Sequence, residues 1–506
     1  MKSAVGTVYL VGAGPGDAGL LTLRGAELLQ RADVVVYDAL VNPDLLRLAP
    51  KSAELIFGGK RSRDHAIPQD DLNQLLVTKA RQGKTVVRLK GGDPYVFGRG
   101  GEEAEELLAA DVPFEVVPGI SSVVAAPNYA GIPLTHRDHC SSFTVITGHE
   151  DPSKETSSLD YELLARLPGT KIILMGVERI REIAEALMAR GCSPATPVGM
   201  VQWGTTGRQR SIEGTLDTIA QRVAETKFAA PAVTVIGSVV GLRPKLNWFE
   251  HRPLFGRRVV VTRTREQASD LARRLSDLGA DVLEIPTIKI QPPDDPHPLI
   301  EALQGLGEYD WAIFTSPNGV AAFFDYFFKA YDDVRALGSL RFAAVGPVTA
   351  AKMRELHLRV DVTPEQYVAK KIAGALAAHE SIENLRLLLA RAQVANPELP
   401  KVLEQMGAIV DDVPVYKTVP ETEDVNGAGA SLQENGADWI TFTSSSTVEH
   451  FHTRFPLPEL LKKFPKIRLA SIGPETTKSL AALGLQPAVE ARPHTIEGLV
   501  KAIREG

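Results

Sequence analysis

The chain has 506 residues, with 56 basic and 62 acidic side chains and a formal net charge of -6. At roughly 100–200 residues per domain, that length calls for three or four folding units and excludes a single core. With 44% hydrophobic and 23% charged residues the composition excludes a disordered scaffold, and the near balance of charge leaves no basic footprint for nucleic acid.

Lys2 precedes a mildly apolar run, Ala4 to Gly14, that could pass for a secretory leader. Gly6, Gly12, Gly14 and Pro15 interrupt it and Asp17 follows, so it reads as a buried strand entering a glycine turn. No run reaches the roughly 18 apolar residues of a membrane span. Strands are predicted over Thr7–Val11, Val34–Tyr37 and Lys84–Leu89, with a helix over Leu20–Gln30. Ser142–Thr147, Lys171–Met175 and Ala232–Ile236 read as strands of a second lobe, with the boundary near Pro118–Gly119. Short Val/Ile-rich runs alternating with helical stretches are the pattern of α/β layers. Cys140 and Cys192 are the only cysteines, too few for a disulfide framework and without a CxxC pair for zinc. Reduced thiols of a cytoplasmic protein without a metal site are expected.

Three segments of this half carry candidate chemistry. The first is GAGPGD, Gly12 to Asp17, where glycines after a strand let backbone N–H groups approach a ligand. Asp38, closing the next strand, sits where a dinucleotide site places its ribose-binding acid. A nicotinamide-dependent oxidoreductase using Gly12–Gly16 is therefore one reading. Against it, the GxGxxG fingerprint wants Gly or Ala where this chain has Asp17, and Pro15 stiffens the turn. The second segment is RLKGGDPYVFGRGGEE, Arg88 to Glu103. Gly91 and Gly92 expose backbone, Asp93-Pro94 fixes a turn, and Arg99 between glycines can present a cation to an acidic substrate. The third is VVPGISSVVAAPNYAGIPLTHR, Val116 to Arg137, in which Ser121 and Ser122 either cap a helix or touch a ligand.

Gly241–Arg257 carries Pro244, Pro253 and several bases without clear periodicity and reads as a connector. Its Trp248 and Phe249 imply packing against a domain. Beyond it the sequence repeats. VVVTR at 259–263 is echoed by LLLAR at 387–391, LGADVLEIP at 278–286 by MGAIVDDVP at 406–414, and DWAIFTS at 310–316 by DWITFTS at 438–444. AVGPVT at 344–349 is echoed by SIGPET at 471–476. The offset is 128 residues for Arg263 to Arg391, Pro286 to Pro414 and Ser316 to Ser444, and 127 for Pro347 to Pro474. That is the size of a domain, longer than a solenoid period of about 20–50 residues. Two similar α/β units with doubly wound parallel sheets follow, with a ligand cleft expected between lobes. A two-lobed ligand-binding sensor is an alternative for this half.

The blocks of the first half, together with Leu174-Met175-Gly176 and Gln202-Trp203-Gly204-Thr205, resemble the uroporphyrinogen-III C-methyltransferases of the tetrapyrrole methylase family over about residues 5–245. The resemblance implies the two-lobed class III methyltransferase fold, with S-adenosylmethionine in the cleft between the lobes. It implies donor contacts at Pro15, Gly91, Gly92, Asp93, Val96, Ser121, Ser122, Met175 and Gly204. The family commonly has Thr then Ser or Ala where this chain has Ser121 and Ser122. Asp38 matches the family's proposed proton acceptor and Lys60 its proposed proton donor. The substrate's carboxylates would suit Arg99, Arg137, Arg61 and Arg63. The family is usually dimeric through this domain.

The repeat, with PVYKT and ITFTSSSTVEHF, resembles uroporphyrinogen-III synthase over about residues 255–506. That family closes hydroxymethylbilane with inversion of ring D and loss of water, without a cofactor. Tyr416 matches its tyrosine proposed to assist hydroxyl loss, and the first copy has Ile288 in the same place. Thr315, Ser316, Thr443 and Ser444 lie at strand-to-helix turns whose N–H groups suit anionic side chains. Arg263 and Arg391 occupy equivalent strand ends, where they could bind carboxylates. Together the two resemblances imply a bifunctional tetrapyrrole enzyme. Residues 1–245 would be the methyltransferase (lobes about 1–118 and 119–245), 246–256 the linker and 257–506 the synthase, whose lobes are expected to be joined by two crossings and, as the resemblance implies, to exchange segments. Its partners are expected to be tetrapyrroles, with no nucleic acid and no membrane.

Overall fold

The computed structural model describes residues 5–59, 67–149, 159–262, 265–364, 369–424 and 427–506. The first sheet holds β1 (Val8–Gly12), β2 (Val34–Tyr37), β3 (Glu54–Phe57), β4 (Val86–Lys90) and β5 (Phe114–Val117) in the order β3-β2-β4-β1-β5. All its pairings are parallel. Strands covered by helices on both faces need continuous apolar runs, and Val34–Val36 are fully buried. The glycine segments leave the adjacent carboxyl ends of β1 and β4, and Asp38 leaves that of β2. In an open parallel sheet this edge is where a crevice forms. The helix expected over Leu20–Gln30 is divided. Asp17 caps a 3-10 turn at Ala18–Leu20, and Thr22 caps a separate helix, Leu23–Gln30, by accepting from the Gly25 amide.

The second sheet holds β6 (Phe143–Thr147), β7 (Thr170–Leu174), β8 (Pro197–Gln202), β9 (Arg210–Thr215) and β10 (Ala232–Ile236) in the order β6-β7-β10-β8-β9. Only its β6–β7 pairing is parallel. Residues 241–257 are ordered and packed. Phe249 is buried and packs at a tilt on Tyr129 and edge-on on Phe255, with ring centroids 4.8 and 5.5 Å away. Glu250 accepts from Gln209 at 2.9 Å, Ser211 at 2.6 Å, Asn247 at 3.1 Å and Arg243 at 2.5 Å. Burial alone would raise its pKa, but these donors outweigh it and hold the carboxyl below the usual range.

The remaining strands are β11 (Arg258–Val261), β12 (Asp281–Glu284), β13 (Ile288–Gln291), β14 (Trp311–Phe314), β15 (Arg341–Ala344), β16 (Arg386–Ala392), β17 (Ile409–Pro420), β18 (Trp439–Phe442), β19 (Arg468–Ser471) and β20 (Val489–Glu490). They form two sheets, ordered β12-β11-β18-β19-β20 and β13-β17-β16-β14-β15. Each sheet therefore takes strands from both copies of the repeat. The first two strands of copy one join the last three of copy two, and the reverse. The chain crosses between the sheets twice, once between β12 and β13 and once after β17. The antiparallel pairing of β13 with the end of β17 forms the bridge. Buried threonines fasten the crossing: Thr287 Oγ1 donates to the Thr262 carbonyl at 3.1 Å, and Thr262 Oγ1 to the Thr441 carbonyl at 2.8 Å. The copies also share a bond. Asp310 accepts from the Arg386 amide at 2.9 Å, and Asp438 from the Arg258 amide at 2.7 Å. Among the described residues no helix is long and apolar enough to cross a membrane.

Candidate functional site

Backbone against backbone builds the cleft between the first two sheets. Gly14 and Gly92 exchange hydrogen bonds, at 3.2 and 2.7 Å, stitching the two glycine segments together. A Cβ at Gly119 would lie 2.2 Å from the Gly92 carbonyl oxygen, and one at Gly12 would lie 2.5 Å from the Gly119 Cα. Only glycine permits this approach. Asp93 fixes the third segment by accepting from the Gly119 amide at 3.0 Å and from the Tyr95 amide at 2.8 Å.

The resulting cavity measures about 1130 Å³. Pro15, Gly91, Gly92, Asp93, Val96, Ser121, Ser122, Met175 and Gly204 all line it. Ser121 caps the helix Ser122–Tyr129, its hydroxyl accepting from the Val123 amide at 3.3 Å. Leu174, Met175, Val201, Pro231 and Val233 supply an apolar wall opposite the glycine backbone. Nine non-glycine residues among those described have positive φ, and Phe97, Met175, Trp203 and Thr205 of these line the cavity. Such backbone is sparsely populated and gathers where a ligand is held.

Asp38 stands beside the cavity, next to the lining residues Ala39 and Leu40. The buried Arg88 reaches its carboxylate at 2.6 Å, and the Asp38 side chain stays 29% exposed. Arg88 and Lys90 also meet the fully buried Glu103, at 3.1 and 2.7 Å. Burial and the neighbouring Arg88 charge pull the Lys90 ammonium below its ordinary range, against the opposing pull of Glu103. This group lies under the sheet edge and fixes the side chain that holds Asp38.

Other expected positions fall differently. Arg99 is outside the cavity lining, exposed and paired with Glu102 at 2.6 Å. Arg137 is exposed. Lys60, Arg61, Arg63 and Arg263 lie outside the described residues. Arg391 is turned inward, its Nε on Asp412 and its Nη1 on the Asn396 carbonyl, both at 2.6 Å. It is thus paired within β16 and β17, with Asp412 on the neighbouring strand.

On the sheet β13-β17-β16-β14-β15, Tyr416 of β17 and Ser316 beyond β14 meet across 100 residues of sequence with their hydroxyl oxygens 3.0 Å apart. Ser316 also caps the helix Pro317–Ala330, accepting from the Gly319 amide at 3.0 Å. Burial pushes the Tyr416 phenol above its ordinary range, against a smaller opposing effect of Ser316, so it keeps its proton at neutral pH. In the other copy Ser444 forms a capping box with Thr447. Thr315 and Thr443 lie half-buried just beyond β14 and β18.

Several side chains join the cleft's loops in ways a single sequence does not show. Asn42 donates to the Gly16 carbonyl at 2.8 Å. The Asp17 amide donates to Thr205 Oγ1 at 3.0 Å, and its carboxylate accepts from the Tyr129 hydroxyl at 2.8 Å. Asp17 thus ties the glycine loop to the second lobe, across 188 and 112 positions.

The cleft, its glycine cradle and the exchanged C-terminal lobes define a fusion of a two-lobed methylase with a two-lobed synthase. The family model of the tetrapyrrole (corrin/porphyrin) methylases matches residues 7–220, and that of uroporphyrinogen-III synthase HemD matches residues 269–501. A porphyrin biosynthesis protein HemD from Ruminiclostridium josui is 39% identical over 99% of this chain and 98% of its own length. A uroporphyrinogen-III C-methyltransferase from Bacillus subtilis is 46% identical over 67% of this chain and 69% of its own. An S-adenosyl-L-methionine-dependent uroporphyrinogen III methyltransferase from Methanosarcina barkeri is 54% identical over 48% of this chain and 95% of its own. The chain belongs to the tetrapyrrole methylase family through its N-terminal half and to the uroporphyrinogen-III synthase family through its C-terminal half.

Proposed function

We propose that the chain is a bifunctional enzyme of tetrapyrrole synthesis. Residues 1–245 are its S-adenosylmethionine-dependent uroporphyrinogen-III C-methyltransferase, in two lobes meeting near 118, residues 246–256 its linker and 257–506 its uroporphyrinogen-III synthase. The observation that carries this reading is the convergence of nine donor-contact positions on one cavity. The cavity suits the donor chemically, with exposed backbone on one side for its polar end and an apolar wall on the other for a flat base.

When bound, the donor supplies a methyl already activated on a sulfonium. The chain's residues need only align it with a pyrrole carbon and exclude water. Each transfer forms a carbon–carbon bond, breaks a carbon–sulfur bond and releases one proton. Asp38, held by Arg88, accepts that proton; as the ring tautomerises, Lys60 gives it one proton for each further proton it loses, so one is released net. Two transfers, at C2 and C7, give precorrin-2 for siroheme or cobalamin synthesis. In the C-terminal half, hydroxymethylbilane loses its hydroxyl as water and closes with ring D inverted. The protonated Tyr416, positioned by Ser316, gives its proton to the departing hydroxyl. Helix starts after Thr315-Ser316 and Thr443-Ser444 receive substrate carboxylates. No cofactor is needed for that step. A cytoplasmic homodimer joined through residues 1–245 accompanies this reading.

The methyl-transfer half is tested with uroporphyrinogen III and a methyl-labelled donor. Two labels per product are expected. Binding of a nicotinamide cofactor in place of the methyl donor would overturn the assignment in favour of an oxidoreductase.

A further inference from the structure

The cavity wall is not made by the N-terminal half alone. Ala272, Arg273, Ser276 and Asp277, on the helix Arg265–Asp277, line it, as do residues 280–284. The latter include β12, the edge strand of its sheet.

Strand β12 touches both lips of the cleft. At its end the Glu284 carboxylate pairs with Arg47, and the Glu284 side chain is only 8% exposed. Arg47 lies on the 3-10 helix Pro43–Leu48, whose cap Asn42 holds the Gly16 carbonyl in the first glycine loop. At its start β12 meets the opposite lip. A Cβ at Gly207 would lie 2.2 Å from the Asp281 amide nitrogen and 2.3 Å from the Ala280 carbonyl carbon and oxygen, so the two backbones are in direct contact. Beside it Arg208 lies 3.7 Å from Asp281 and over the Trp203 ring, 4.3 Å from its centroid. Trp203 precedes Gly204, one of the nine converging positions. One four-residue strand thus runs from the first lobe's lip to the second's.

We propose that β12 of the C-terminal half braces the two lips of the methyl-donor cleft and sets how tightly donor and demethylated product are held. This rests on the methyltransferase reading. The lips belong to different sheets, and a cleft between lobes opens by their relative motion. A rigid strand fastened to both by an ion pair and a backbone contact opposes that motion, and a closed cleft aligns its ligand better and excludes water. Glu284 and Gly207 act here through the lips and are positioning residues.

The test uses the full chain and three variants: Glu284→Ala, Gly207→Ala, and the exchange Arg47→Glu with Glu284→Arg. Hydrogen exchange over 42–48 and 203–208 reads the brace. S-Adenosylhomocysteine binding and the donor KM read its consequence, with hydroxymethylbilane cyclisation as the internal control. Glu284→Ala and Gly207→Ala are expected to speed exchange at both lips. They should weaken product binding and raise the donor KM about five- to tenfold, within the usual range of coupling between sites, and change kcat less. The exchanged pair is expected to restore most of the loss, and cyclisation is expected to stay at the wild-type rate. Unchanged exchange at the lips in both single variants would overturn the brace. So would faster exchange with unchanged donor KM and product affinity. A wild-type chain that binds neither donor nor product would fail the methyltransferase reading itself, and the exchange data would still report whether β12 holds the lips.

Discussion

In the N-terminal cleft, backbone builds most of the wall: glycines pack on glycines, residues of positive φ line the cavity, and side chains such as Asp93 and Asn42 tie loops together. On one C-terminal sheet, side chains from distant positions meet, Tyr416 from one copy of the repeat against Ser316 from the other. A backbone cradle needs a particular residue at each contact, since any side chain at Gly12 or Gly119 would collide. A side-chain site on exchanged lobes needs only a few groups, and the surrounding turns serve folding as well. The first kind of site leaves long, ordered blocks in a sequence, and the second leaves a repeat and a single tyrosine.

The sharpest way to break this comparison is Glu103→Ala. It leaves the buried Lys90 without its carboxylate and Arg88 with Asp38 alone, and losing one partner of a buried ion pair costs about 3–5 kcal/mol. Denaturant unfolding should show that loss, with methyl transfer abolished and cyclisation retained. A change under about 0.5 kcal/mol would remove the group from the account. Next, Asp38→Ala should lower methyl transfer by about 10²–10⁴-fold with product binding retained, the usual range for a lost general base. Full activity would contradict the role. Tyr416→Phe keeps the ring and removes the proton donor. Cyclisation should fall about ten- to a hundredfold, as for one hydrogen bond to a developing charge of roughly 1.5–3 kcal/mol, with methyl transfer untouched. An unaltered cyclisation rate would leave Tyr416 a packing residue.

The smallest effect concerns the seam. Because the folded Glu250 carboxyl titrates below its unfolded value, its stabilisation is present above about pH 4.3 and is lost as pH falls through the folded pKa. Glu250→Gln should therefore lower Tm at pH 7, and the gap to wild type should narrow in acid. A gap that widens in acid would contradict the sign.

Much of the fold was legible in the sequence. Val34–Tyr37 and Ala232–Ile236 read as strands with the ends they have. The 128-residue offset pointed to paired lobes. It could not say which strands share a sheet, because a repeat records similarity and is silent on pairing. The exchange becomes visible only when β11 pairs with β18 and β14 with β16. The same limit governs charge. Arg391 reads as a strand-end cation suited to carboxylates, and its Asp412 partner on the neighbouring strand cannot be read from sequence; nor does Arg47 hint at Glu284, 237 positions away. Asp17 counted against a dinucleotide fingerprint by its type alone, and the structure adds what it does, which is to join two lobes.

The most direct test of the central claim supplies the full chain with hydroxymethylbilane, with and without S-adenosylmethionine, and identifies the products by mass and isomer. The account predicts uroporphyrinogen III alone without the donor and the doubly methylated precorrin-2 with it. Formation of only the type I isomer, unmethylated in both cases, would contradict it.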